Sequence, residues 1–313
     1  GLLFPERRSR VLSLLLICSL PCMVLFFGYV ETYAAVLLTL SFFTLASALY
    51  LAGRVPFKLV AVAFLVQVLT HYLTALTLPS LAYLAYIGVK RGRGRDVAIG
   101  LALSCGAFLL LLAAIGFDVA NYFSQVPHKH YLPMTTPDDP VERYSSPYTL
   151  FAPFHFLDLG NLAVLLLSPA FALLLTAIPW RARRAPDDME RFLLASMIPA
   201  AFFAFLAKYD LGAARDWDVL GPFSFLFVLF ALVFHFHRVP APGFVRPAAI
   251  IAGATLLNSM VWWTMVGSDA ATVERFRSLM DERLTGQAGM YNASLYLSRY
   301  YHQIGIGDRE SAE

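Results

Sequence analysis

Long apolar runs alternate with short polar breaks along most of this chain, and the run lengths match the thickness of a bilayer. A helix crossing the hydrocarbon core needs about 20 predominantly apolar residues. Segments near residues 11–28, 32–52, 97–116, 160–179, 192–207, 219–236 and 247–266 meet that requirement. The run from Leu59 to Val89 is different, since as a single helix it would measure roughly 46 Å, too long for one crossing and short for two. Thr70, His71, Thr74, Thr77, Pro79 and Ser80 interrupt its centre. Two crossings with a tight reversal near His71 are therefore expected, which makes nine spans.

Composition agrees with this pattern. Hydrophobic residues make up 58% of the 313 positions and charged residues 14%, with a mean hydropathy of +0.63. These values imply an all-α, polytopic integral membrane protein. The net charge of +3 matters less than its distribution, and nothing in it points to nucleic acid. Cys18, Cys22 and Cys105 all lie in apolar runs, where cysteine packs as a small hydrophobe rather than in a disulfide framework. The charged start GLLFPERRSR leads into an apolar run with no small-residue cleavage site, so this run reads as a span rather than a removable signal.

The basic residues set the expected orientation. With nine spans, PERRSR, GRVPFK, KRGRGRD, WRARRAPDDMER and the Arg238–Arg246 loop fall on one side, and together they hold 15 of the 24 Lys and Arg. The positive-inside rule assigns that side to the cytoplasm, with the N-terminus of the chain inside and the C-terminus outside. Residues 1–266 then form a transmembrane helical domain with an outer loop at 117–157, and residues 267–313 form an extracytoplasmic helical tail. The outer loop is rich in aromatic residues and proline, a composition that favours a cover lying on the membrane over a disordered linker. In the tail, Val273, Phe276, Met280 and Leu284 recur at helical spacing before a break at Gly286.

The expected outer side collects the unusual polar residues: Glu31, His71, Asp118, His155, Asp158, Asn161, Lys208, Asp210, Arg215, Asp216 and Asp218. Ionisable groups near hydrocarbon are costly and mark sites, although short loops also carry solvated charge. Glu31, in LFFGYVETY, is either an acid favoured by the dipole of the following helix or a catalytic or metal-binding carboxylate. His71 either hydrogen-bonds a backbone carbonyl at the reversal or contacts a donor substrate. His155 and Asp158 are spaced to share one helix face, and either cap that helix or bind a ligand. In RDWDVLGPF, Asp216 and Asp218 flank an interfacial Trp217, and Arg215 offers a planar fork suited to phosphate or carboxylate. The segment is either an N-cap with an acid–base pair or a site for a divalent cation and a lipid-linked phosphate. His128 and His130 read as solvated histidines rather than a metal pair, and Asp138-Asp139-Pro140 as a turn. No Walker loop, dinucleotide fingerprint, G-x-S-x-G, H-E-x-x-H or paired C-x-x-C occurs.

Four of these stretches carry a resemblance: LFFGYVETY at a span junction, LTHYLTALTLPSLAYL at the reversal, FHFLDLGNLAVLLLSPA opening a span, and RDWDVLGPF. Over residues 11 to about 265 the chain resembles bacterial multi-spanning proteins related to the GT-C glycosyltransferases. That superfamily includes protein O-mannosyltransferases and the aminoarabinose transferases of lipid A. The resemblance implies transfer of a sugar from a polyprenyl-phosphate donor to an extracytoplasmic acceptor at the bacterial inner membrane. It assigns Glu31, Asp216 and Asp218 to catalysis or metal ligation, and Arg215, Lys208, His155, His71 and Asp158 to the donor and its phosphate. It also places a main catalytic Asp in a first outer loop, ahead of the matched region, so that either an N-terminal portion precedes Gly1 or the protein is not a complete catalyst and Glu31 is auxiliary. Two alternatives stand beside it: a transporter or lipid flippase, with ionisable residues near mid-membrane and related halves, and a non-catalytic membrane scaffold.

Overall fold

A computed structural model describes residues 6–26, 32–118, 120–121, 131–138, 148–179, 185–209, 216–239, 241–278 and scattered positions between 291 and 299. The described residues are almost entirely helical. In chain order they are α1 (Arg7–Cys18), a 3-10 turn (Pro21–Phe26), α2 (Tyr33–Leu51), α3 (Phe57–Thr70), a second 3-10 turn (Tyr72–Thr77) and α4 (Leu78–Lys90). There follow α5 (Gly94–Ala114), α6 (Pro153–Ala177), α7 (Asp188–Leu206), α8 (Trp217–Arg238), α9 (Ala241–Val266) and α10 (Asp269–Ser278).

Among the described residues, seven helical segments are long and apolar enough to cross a membrane. Each of the other two expected crossings is accounted for by a break. The stretch 11–28 divides between α1, with 12 residues, and the turn that starts at Pro21, whose ring removes a backbone donor. The stretch 59–89 breaks at His71, whose backbone is extended at φ −161° and ψ 126°. On its near side α3 has 14 residues, about 21 Å of rise against a core of about 30 Å. On its far side the helix resumes through the 3-10 turn, and Tyr72–Lys90 is long enough to cross. Gln67, fully buried, donates from Nε2 to Thr77 Oγ1 at 2.7 Å and ties the two sides of the break together.

The chain forms two compact units. The first comprises residues 1–122, 166–203 and 218–259. Its centre is α8, with 78% of its apolar window buried, whereas α5 buries only 11% and keeps an exposed apolar surface. Phe43 packs on Phe64 and Phe192 with ring centroids 5.7 Å apart in both pairs, and Tyr50 meets Phe57 edge-on at 5.6 Å. Helices α2 and α4 end alike, on Gly53 and Gly92, both at φ +74°, where a side chain would be strained. Past each glycine the next backbone N–H closes the helix end, Arg54 onto the Leu49 carbonyl and Arg93 onto the Gly88 carbonyl, both at 2.9 Å. Gly88 itself lies under the Tyr50 hydroxyl, where no Cβ would fit.

The second unit comprises residues 123–165, 204–217 and 260–313. Tyr131 and Ala207 form an isolated antiparallel bridge, reinforced by Leu132 N–H on the Leu206 carbonyl at 2.9 Å. Leu132, Tyr148 and Leu150 make a small core, flanked by Ala152, Phe154 and Phe205. Trp217 meets Trp262 edge-on at 5.9 Å. Of the expected tail helices, α10 covers Asp269–Ser278, and the second half of that periodicity, Met280 and Leu284, lies outside the described residues.

Candidate functional site

Within the second unit, α6 begins at Pro153, whose fixed φ suits a first helical turn, and this sets His155 and Asp158 on one face. His155 is fully buried, and its Nε2 lies 2.8 Å from the Phe205 carbonyl oxygen. Its ring sits between Tyr148 at 5.3 Å and Phe205 at 5.4 Å. Its other nitrogen, Nδ1, is buried without a hydrogen-bond partner among the described residues. Asp158, only 2% exposed, accepts a hydrogen bond from the Tyr148 hydroxyl at 2.9 Å. A carboxylate that deep is costly unless hydrogen-bonded, and this phenol supplies one such bond.

Tyr209, on the loop after α7, completes the group. It is buried, and its hydroxyl donates to the Ala204 carbonyl at 3.4 Å. Burial pushes its phenol up from the usual range, and the negative charges of Asp216 and Asp158 push it in the same direction, so it remains a neutral donor at physiological pH. Three separate stretches, 148–158, 204–209 and Asp216, thus contribute to one patch of polar chemistry. Lys208, beside Tyr209, is half-buried, as is Asp216.

The remaining residues picked from the sequence fall elsewhere. His71 belongs to the first unit, where Nδ1 accepts the Leu73 N–H at 3.2 Å and the ring stacks on Tyr72 at 4.9 Å. It thereby caps the 3-10 turn that follows it. Asp218, also in the first unit, occupies the first turn of α8 and is 8% exposed. Glu31 and Arg215 lie outside the described residues, as do Asp210, His128 and His130.

A second cluster, drawn in part from the basic segments that set the expected orientation, occupies the first unit. Glu190, in the first turn of α7, is 1% exposed and holds Arg238, the last residue of α8, through both oxygens at 2.5 and 2.9 Å. His237 Nδ1 lies 3.0 Å from Asp187 Oδ2 and 3.3 Å from Glu190 Oε1. Asp188 accepts from Arg91 at 2.9 Å and from the Tyr83 hydroxyl at 2.9 Å. Arg91 also donates to the Leu51 carbonyl at the end of α2, and the Asp96 carboxylate accepts the first N–H of α3, from Phe57, at 2.6 Å. The ends of α2, α4 and α8 and the starts of α3, α5 and α7 are cross-linked by these bonds. The DDMER and HFHR segments carried the signal, as an acid two residues into a helix and a basic residue closing another.

Comparison with protein-family models, with curated proteins and with solved structures finds no match for this chain.

Proposed function

We propose that this membrane protein is a GT-C-type glycosyltransferase that moves a sugar from a polyprenyl-phosphate carrier to an extracytoplasmic acceptor. The observation that carries the reading is the second unit's polar patch, where His155 Nδ1, buried without a partner among the described residues, lies on the same helix face as Asp158. Tyr209 adds a phenol that stays protonated. Such a transfer needs a carboxylate to take the acceptor's proton and donors or cations to stabilise the departing lipid phosphate. In this reading Glu31, Asp216 and Asp218 supply the acids. Arg215 and Lys208 hold the phosphate, and His155 Nδ1, with Asp158, contacts or orients the donor. A divalent cation at the acids would neutralise the same developing charge.

The topology proposed with it has nine crossings in the bacterial inner membrane, the N-terminus of the chain inside and the C-terminus outside, with α1 and α3 as the short members. Four of the five basic segments support it, because GRVPFK, KRGRGRD, the DDMER end of the third loop and Arg238 are joined at one end of the first unit. The placement of charge also favours an enzyme over a transporter. Every described Asp, Glu, Lys and Arg in the long apolar helices lies within about two turns of a helix end, whereas a transport path needs ionisable groups at mid-membrane.

The test is transfer from a labelled polyprenyl-phosphate sugar by the full chain in proteoliposomes. Glu31→Gln and Arg215→Ala are each expected to lower turnover about 100-fold or more, with expression and detergent monodispersity unchanged. Wild-type rates in both variants would remove the assignment. For the topology, a cysteine placed at Gly92 is expected to stay shielded from an impermeant thiol reagent in intact cells, and labelling there would reverse the orientation.

A further inference from the structure

The end of the first unit carries a site independent of the sugar-transfer reading. We propose that Asp187, Glu190 and His237 form a binding site for a divalent transition-metal ion, held between the start of α7 and the end of α8. Three ligand atoms, one from each residue, lie within 4.8 Å of one another. The two measured edges of that triangle, His237 Nδ1 to Asp187 Oδ2 at 3.0 Å and to Glu190 Oε1 at 3.3 Å, are informative. Metal–nitrogen and metal–oxygen bonds of about 2.0–2.2 Å place neighbouring ligands about 3.0–3.5 Å apart in tetrahedral or octahedral geometry. One imidazole with two carboxylates is a borderline donor set, which suits Zn2+, Mn2+, Fe2+ or Co2+ better than Ca2+ or Mg2+.

The surroundings fix these ligands in place before any ion arrives. Asp187 uses Oδ1 to accept the Glu190 N–H at 2.9 Å, capping α7, which turns Oδ2 toward His237. Arg238 grips Glu190 through both oxygens, neutralises one of the two acids and orients the carboxylate, the outer-shell role that ligating carboxylates need. Glu190 is 1% exposed while Asp187 and His237 keep 26% and 17% of their side chains open, so the triad has a buried floor and a solvent-facing rim. The two helix ends come from residues 47 apart in the chain, and an ion here would bind them into one piece. The competing occupant is a proton: an imidazolium at His237 would satisfy the same two carboxylates without metal.

Co2+ decides between them, because its visible absorption reports bound nitrogen and oxygen ligands directly. The full chain, purified in detergent and stripped with chelator, is titrated with Co2+ at pH 7.5. Saturation at one equivalent with ligand-field bands is expected, displaced by Zn2+. His237→Ala is expected to weaken binding at least 10-fold. Asp187→Asn provides the fold control, since Asn caps a helix as well as Asp and α7 keeps its start, yet its amide is a poor ligand. It too is expected to lose at least 10-fold in affinity while its circular dichroism and elution volume match wild type. Unchanged Co2+ affinity in Asp187→Asn would overturn the site. So would absence of stoichiometric binding in wild type, whether or not thermal stability then depends on His237 and pH, as a proton-closed cluster requires.

Discussion

The two units bury ionisable groups in opposite ways. At the end of the first, acids meet bases: Glu190 is closed by Arg238 with both partners 1–2% exposed, and Asp188 is closed by Arg91. In the second, Asp158 and His155 are as deeply buried but bond to neutral partners, a tyrosine hydroxyl and a backbone carbonyl. A closed ion pair holds helix ends together and fixes the orientation of its carboxylate. Asp158 and His155 instead meet a phenol and a backbone carbonyl, groups that carry a hydrogen bond but no full charge. The proposed sugar chemistry is assigned to the second unit, whereas in the first the Glu190–Arg238 pair ties two helix ends and orients a carboxylate of the proposed metal site.

The contrast breaks most sharply at Arg238. Removing it leaves Glu190 charged and enclosed, and breaking one side of a buried pair typically costs about 3–5 kcal/mol. Arg238→Met is therefore expected to lower thermal stability in detergent markedly. Glu190→Gln combined with Arg238→Met should recover much of the loss, because no uncompensated charge remains. A single variant that melts like wild type would show that the pair is not a structural tie.

In the second unit the expected effect is smaller. Tyr148→Phe deletes the phenol on Asp158 with little change of volume, and a hydrogen bond to a charged group contributes roughly 1.5–3 kcal/mol. The loss should come with a second readout, since weaker tethering of Asp158 loosens the His155 face. The proposed sugar transfer is expected to fall more than stability alone explains. Equal, small losses in both would make Tyr148 a packing residue and flatten the comparison.

Much of the helical framework was legible because hydrophobic run length reports burial in lipid directly. The interruption at His71 was legible too, from the polar residues Thr70 to Ser80. What run length does not show is that the helices on the near side of these breaks are short, 14 residues in α3 and 12 in α1. The pairing of His155 with Asp158 on one face follows from a spacing of three. Their partners, Phe205 and Tyr148, do not, because a backbone carbonyl and a loop tyrosine carry no periodicity. The Glu190–Arg238 pair was hidden for another reason. Its residues belong to loops whose basic content is explained by orientation alone, so an acid among arginines attracts no notice until two helix ends are seen to meet.

The smallest expected effect tests how far the first unit's ionic end is one network or a set of separate ties. Arg91 and Asp188 are 37% and 34% exposed, and pairs this open to solvent contribute at most about 1 kcal/mol after screening. Arg91 also bonds the Leu51 carbonyl, so Arg91→Ala removes two contacts at the rim while leaving Glu190 and Arg238 untouched. If the ties are separate, the variant loses under about 1 kcal/mol, and its effect adds to that of Arg238→Met within a few tenths, as sites without shared partners do. Strong non-additivity would mean that Asp188 and Glu190, two residues apart on the first turn of α7, act as one charged unit, with the burial of one depending on the pairing of the other.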